Sequence, residues 1–380
     1  MKGIDLRLTS LSDEFLFKSV VVRHPRGSLS APTVAVKVHL REMVGEGPYI
    51  TELYKEFTPR RLRNAMSDTR AADKLRNDVV RGLRKVKPSD MVIAVPCLVQ
   101  GKDVEWESLS PRQVGHYIFE LIAAPRVDVL CTPTFFRVNE EYASKVFRWF
   151  LDAASTATKP VALTIPYVSR DTRVQLIESF FEFLEAAENG LHNIICVDYG
   201  GSNAISRHDL HNFVLRLIRG MRSQMGEEIM IYGVNVKFSR VTSKYDEVPA
   251  RDVISTYGGV DVLGPNHRRP VLAPDVINNV KAESKLMLFQ ADTYTYVTQE
   301  GARIPRSSAY GNISDLERRN IFNIENSVRI CNELDRVKGL LSSGEPIKEY
   351  LLSKKGVAGD RRSLDLLDKY RREYLQSSLV

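Results

Sequence analysis

Residues 194–201 read IICVDYGG, four apolar residues followed by aspartate, tyrosine and two glycines. An apolar run without polar alternation fits a strand covered on both faces, as in a parallel sheet between helical layers. Runs of the same kind recur at 33–38, 91–97, 127–132, 161–165, 229–234, 260–263 and 286–290. Amphipathic stretches separate them. In 173–188, Leu176, Ile177, Phe180, Phe181 and Leu184 fall on one side of a helix. Pro160 marks a strand entry, and Gly190 a helix stop. This alternation predicts an α/β fold, a (β/α)8 TIM-like barrel. A doubly wound open sheet is the alternative, but no Gly-x-Gly-x-x-Gly follows the first strand.

Beyond Arg303 the pattern changes. Ser314 or Asp315 can cap a helix over 316–341, with Gly344 past its end. A last helix carries Leu364, Leu367, Tyr370 and Tyr374 among basic residues. The expected organisation is a barrel domain over 1–305 and a helical C-terminal extension over 306–380. The barrel domain would include N-terminal strands and a basic helical insertion at about 55–87.

The 380 residues, 43% hydrophobic and 27% charged, suit a globular protein. No run of 18 apolar residues occurs and the first 15 residues lack an apolar signal core, so a cytoplasmic protein without a membrane partner is expected. Cys97, Cys131 and Cys196 sit in apolar runs as small core residues, and with Cys331 they show no zinc spacing. Net charge is +7. Residues 55–87 hold eleven Lys and Arg against four acids, an excess equal to that of the whole chain. Charge concentrated in this way favours a polyanion partner over a merely solvated helix face. Arg60, Arg61, Arg63, Lys74 and Arg76 are the expected phosphate contacts.

Barrel enzymes carry their sites at the C-terminal ends of the strands. The residues there are Asp198, Gly200 and Gly201, then Asn235 and Lys237, then Asn266, His267, Arg268 and Arg269, and finally Asp292. Asp198 reads equally as a ligand contact or as the cap of the following turn. Arginine pairs with phosphate, and histidine can act as acid or base near neutral pH, so 266–269 is a candidate substrate contact. His208 and His211 have helix spacing but no third ligand, so no metal is expected. Trp106 and Trp149 read as packing residues.

The C-terminal third, TYTYVTQEGARI at 293–304 and ERRNIFNIENSVRICNELDRVKGLLSSGEPIKEYLLSKKG at 317–356, resembles the tRNA-guanine transglycosylase superfamily of archaeal type. Arg26, Gly27 and Ser28, followed by Pro32 and Thr33, are similar to that family's opening turn and first strand. The resemblance implies a TIM-like barrel and exchange of a guanine in nucleic acid through a covalent sugar intermediate. It also implies tRNA as partner. A homo- or hetero-dimer is a further expectation, and no cofactor is expected. Several family positions are altered. The zinc cysteines are missing between Ile304 and Leu316, and Glu325 stands at the histidine ligand. The base-recognition aspartate falls on Cys131. IAVPCLVQ at 93–100 has no acid, and VALTIP at 161–166 replaces a Gln-Gly-Gly.

The nucleophile must be an aspartate or glutamate, and two strand counts are open. If 48–54 is the second strand and 259–264 the last, the nucleophile falls on Gly264 and is lost. If 288–293 is the last strand, Asp292 takes the role, with Asp198 and Asp261 as further catalytic candidates. Three functions are therefore carried forward: base exchange with a relocated carboxylate, a non-catalytic nucleic-acid-binding or partner subunit, and an unrelated barrel enzyme holding a small anionic substrate.

Overall fold

A computed structural model describes residues 3–101, 104–225, 228–237, 245–268, 286–298 and 315–375. Three antiparallel strands come first: β1 (Asp5–Leu11), β2 (Lys18–His24) and β3 (Gly27–Ala31). The main sheet follows with β4 (Thr33–Val34), β5 (Val36–Lys37), β6 (Ile50–Phe57), β7 (Met91–Val99) and β8 (Val129–Cys131). It continues through β9 (Thr134–Phe136), β10 (Val161–Ile165), β11 (Gly190–Ser202) and β12 (Met230–Val236). After β13 (Glu247–Pro249) come β14 (Val262–Leu263), β15 (Met287–Gln290) and β16 (Thr295–Thr298).

The main sheet runs β4-β14-β12-β11-β10-β8-β7-β6-β5, with β9 beside β7, and its pairs are parallel. Its two ends are β4 and β5, separated in sequence only by Ala35, so the sheet is nearly closed on itself. This barrel-like sheet alternating with helices is consistent with the predicted TIM-like fold. It follows the first strand count. β6 is a barrel strand and β14 is the last one, whereas β15 lies in a separate antiparallel sheet with β13 and β16.

Parallel pairing sorts the side chains by parity. Ile50 and Tyr54 of β6, Met91, Ile93 and Val95 of β7, and Ile194 and Cys196 of β11 join one inner cluster with Met230, Tyr232 and Val234 of β12. The intervening residues Leu53, Val92, Ala94, Ile195 and Val197 pack outward against the helices. β2 and β3 add Val20, Val22, Leu29 and Ala31 to the inner cluster, so they plug the end where the barrel strands begin.

The helices have readable starts. Thr58, Asp68, Asn139 and Ser169 each accept a backbone N–H at the first turn of Pro59–Ser67, Thr69–Leu83, Glu140–Ser155 and Arg170–Ala186. Pro59 and Pro111 stand in first turns, where a missing N–H costs nothing. The basic segment is no insertion: Pro59–Ser67 and Thr69–Leu83 form the crossover between β6 and β7. The C-terminal extension is helical, with Asp315–Ser343 lying against β4 and Arg361–Leu375 against His208–Met225. It shares the outer core through Leu334, Val337, Leu367 and Tyr370. No helix of the described residues is long and apolar enough to cross a membrane.

At the open end, β12 and β14 approach so closely that residue 264 has no space for a side chain. A Cβ on Gly264 would stand 2.3 Å from the Gly233 carbonyl oxygen and 2.9 Å from Glu52 Oε2. Gly264→Ala is therefore expected to destabilise the protein by about 3 kcal/mol, the upper range for overpacking a tight site. Gly220, in helix His208–Met225, has open space around its Cβ position. Gly220→Ala should stabilise by about 0.5–1 kcal/mol. Chemical denaturation of both variants checks the contrast.

Candidate functional site

The barrel mouth is the C-terminal end of the parallel strands, and largely buried charged side chains meet there. Asp198 follows the apolar core of β11 and is fully buried. A buried carboxylate is costly unless its oxygens are paired, and here both are. Oδ1 accepts from the Gly200 backbone N–H and from Asn235 Nδ2, each at 2.9 Å. Oδ2 accepts from Arg268 Nη2 at 2.6 Å and from Thr134 Oγ1 at 2.5 Å. Gly200 and Gly201 hold left-handed φ values of 64° and 81°, which glycine adopts freely, and so turn that N–H back onto Asp198.

Arg268 sits over Phe136, its guanidinium carbon 4.6 Å from the ring centroid. Nη1 points at Cys97 Sγ at 3.4 Å. Burial works against the arginine charge, but Asp198 together with Cys97 and Tyr54 raises the pKa overall. Burial also pushes the Cys97 thiol up to about 12, so it is no nucleophile near neutral pH. Arg268 Nε is buried with no hydrogen-bond partner among the described residues.

The second carboxylate is Glu52, the third residue of β6. Inward parity carries it into the barrel, where it is also buried. Tyr232 donates its hydroxyl to Oε2, and His267 Nε2 contacts Oε1, both at 2.5 Å. Burial, then Glu52, raise the Tyr232 pKa well above the ordinary tyrosine range and keep the phenol a donor. The His267 ring stacks on Tyr54, with centroids 4.0 Å apart and planes 6° from parallel. Asn235, at a left-handed φ of 54°, links the two halves of the mouth. Its Nδ2 bonds Asp198 and its Oδ1 accepts the His267 backbone N–H at 3.0 Å.

A cavity of about 290 Å³ adjoins the mouth between the barrel wall and helix Asp315–Ser343. Lys37, Lys237, Gly264 and Asn266 line its mouth side, and Asp252, Tyr296 and Asn326 its far wall. Lys37 donates to the Asn266 carbonyl at 2.8 Å. Burial lowers the pKa of both lysines, with Glu52 opposing the shift at Lys37.

Asp198, Gly200, Gly201, Asn266, His267 and Arg268 are thus brought together at the mouth, while Arg269 lies outside the described residues. Two expectations are corrected. Asp292 follows β15 outside the barrel and is exposed, because the apolar run before it pairs antiparallel with β16. Asp261 sits at the plugged end, where it accepts the Ile231 N–H at 2.7 Å and faces Lys18 at 3.4 Å. Neither reaches the mouth. Sequence reasoning missed Glu52, Tyr54, Thr134 and Tyr232. The available signal for Glu52 was an acid at an inward position of ITELYKEF.

Other candidates resolve simply. His211 is buried between the Tyr199 hydroxyl at 2.7 Å and the Gly258 carbonyl at 2.9 Å, a packing role. Trp106 is buried in the core. Glu325 pairs with Arg329 at 2.8 Å, one turn along the same helix. The cysteine-free stretch before that helix lies outside the described residues. Arg60, Arg61, Arg63, Lys74 and Arg76 are all exposed. Arg61 also pairs with Asp78 at 2.6 Å, and Arg63 donates to Ser108 at 2.5 Å.

Asp252 provides a pH test of the cavity wall. It accepts from the Tyr296 hydroxyl at 2.7 Å and the Val253 N–H at 2.9 Å, yet burial raises its pKa to about 6. The folded state therefore binds the proton more tightly than the unfolded chain does between about pH 4 and 6. Across that window, wild type should lose about 3 kcal/mol relative to Asp252→Asn as pH rises, with a constant difference above pH 6. Denaturation curves of both proteins from pH 4 to 8 read this directly.

Compared with known proteins, the chain matches no family model and no curated protein sequence.

Proposed function

We propose that this chain binds nucleic acid across the mouth of a (β/α)8 barrel built on the frame of the tRNA-guanine transglycosylases, with a structured RNA such as tRNA as partner. The strand count takes β4 and β5 as halves of one strand interrupted at Ala35. With β6, β7, β8, β10, β11, β12 and β14 this makes eight.

The observation that carries the reading is the place of the basic crossover. Helix Pro59–Ser67 starts directly after β6 ends at Phe57, on the side where the strands open into the mouth. Its exposed Arg60, Arg61 and Arg63 therefore stand at the rim, and Lys74 and Arg76 extend the positive surface along Thr69–Leu83. The positive end of the helix dipole faces the same way. Such contacts position a phosphate backbone, while groups in the mouth read what enters it.

The covalent route of base exchange has less support. Gly264 leaves no room for the carboxylate that the route needs, Asp292 lies elsewhere, and both Asp198 oxygens are engaged. The chain is read as a binding protein of this frame, in which any transfer step would use other groups.

Binding of tRNA, followed by fluorescence anisotropy against salt, tests the reading. Affinity should fall linearly on logarithmic axes, with a slope of about 0.9 per phosphate contact on duplex regions. Changing Arg60, Arg61 and Arg63 together to Glu should weaken binding by about tenfold or more and flatten the slope. Stability should stay within about 1 kcal/mol, since the Arg61–Asp78 pair is exposed. An unchanged slope removes the crossover from the interface.

A further inference from the structure

We propose that Glu52 and His267 form a proton-transfer pair at the mouth, with Glu52 orienting the ring and His267 exchanging a proton with a heteroatom of a bound nucleobase. The choice of ligand rests on the nucleic-acid reading; the pair itself rests on geometry.

A carboxylate only accepts hydrogen bonds, so the 2.5 Å contact to Oε1 requires the proton of the neutral imidazole on Nε2. Nδ1 is then left bare, the arrangement of a base held in one tautomer by an acid behind it. The ring is fixed three ways: by Glu52, by the parallel Tyr54 face at 4.0 Å, and by its own backbone N–H on Asn235 Oδ1. Glu52 is itself pinned by the Tyr232 hydroxyl. Exposure separates their roles, because the Glu52 side chain is 0% accessible and that of His267 is 14%. The histidine is the member that meets a ligand.

Three other mouth groups are committed elsewhere. Asp198 has both oxygens engaged, Cys97 is held as a thiol, and Lys37 donates to a carbonyl. The parallel Tyr54–His267 stack gives the mouth a flat wall beside the Phe136–Arg268 cation–π pair, and a flat wall suits a planar heterocycle. In the step, an N–H or O–H bond of the ligand breaks and an Nδ1–H bond forms. The electron pair stays on the ligand heteroatom, and Glu52 faces the resulting imidazolium. The reverse step returns the proton.

The test uses the full chain labelled with 15N-histidine and long-range proton–nitrogen correlation spectra, with His267 assigned by its loss in His267→Gln. In the free protein, Nε2 should carry the proton and Nδ1 should be bare. Glu52→Gln should convert this single tautomer into a mixture. Adding tRNA should move the Nδ1 resonance toward a hydrogen-bonded position. A proton on Nδ1 in the free protein overturns the pair, as does an unmoved Nδ1 when anisotropy shows the RNA bound. If no RNA binds, the nucleic-acid reading falls, and the free-protein tautomer alone decides the pair.

Discussion

The pairing of Thr33 with Val262 and of Val34 with Leu263 joins the last parallel strand to the first, and the mouth depends on that closure. In an open sheet, the inward positions of β6, β11 and β12 would face different surroundings. Closed, they face one another across a few ångströms. Glu52 then reaches Tyr232 and the loop after β14, although 180 and 215 positions separate it from Tyr232 and His267. The inner cluster below is apolar, so every charge that closure forces inward must bring a partner. This accounts for the pairing of Asp198 with Arg268 and of Glu52 with His267, and for Asn235 bridging them in a left-handed conformation.

Much of this architecture was legible in the sequence because burial on both faces leaves continuous apolar runs. IICVDYGG announced both a strand and the acid at its end. The run at 287–290 was misleading for a related reason. MLFQ is buried, but under the antiparallel partner β16 and the long helix, whose Asn326 bonds the Phe289 N–H and the Met287 carbonyl. Burial alone does not reveal which sheet a strand joins. Glu52 was hidden for the opposite reason. ITELYKEF mixes charge with apolar residues and reads as half-exposed until parity and closure turn residues 50, 52 and 54 inward. The basic stretch at 55–87 was legible as charge. That it forms a crossover followed only from β6 and β7 being neighbours.

The same constraint separates structural from chemical carboxylates. Asp261 lies at the plugged end, held between Lys18 and the Ile231 N–H, and burial moves its pKa up to about 6. Its contacts tie the N-terminal sheet to β12 and β14, which is a stabilising role. Arg41 and Asp90, both fully buried, do likewise at the entry to β6 and β7. Breaking such a pair leaves an unpaired buried charge, at a cost of about 3–5 kcal/mol.

At the mouth the balance differs. Asp198 has its acceptor positions filled, so it behaves as a structural carboxylate at the mouth and fixes Arg268 over Phe136. Glu52 is equally buried, but one of its two partners is a histidine whose other nitrogen bonds none of the described residues. A group can do chemistry only where its bonding capacity exceeds what the fold uses. By that criterion His267, rather than any of the acids, is the mouth group left open to a ligand by the described residues. The missing space at Gly264 and the filled valences of Asp198 are the physical reasons why a carboxylate nucleophile is not the natural reading of this mouth.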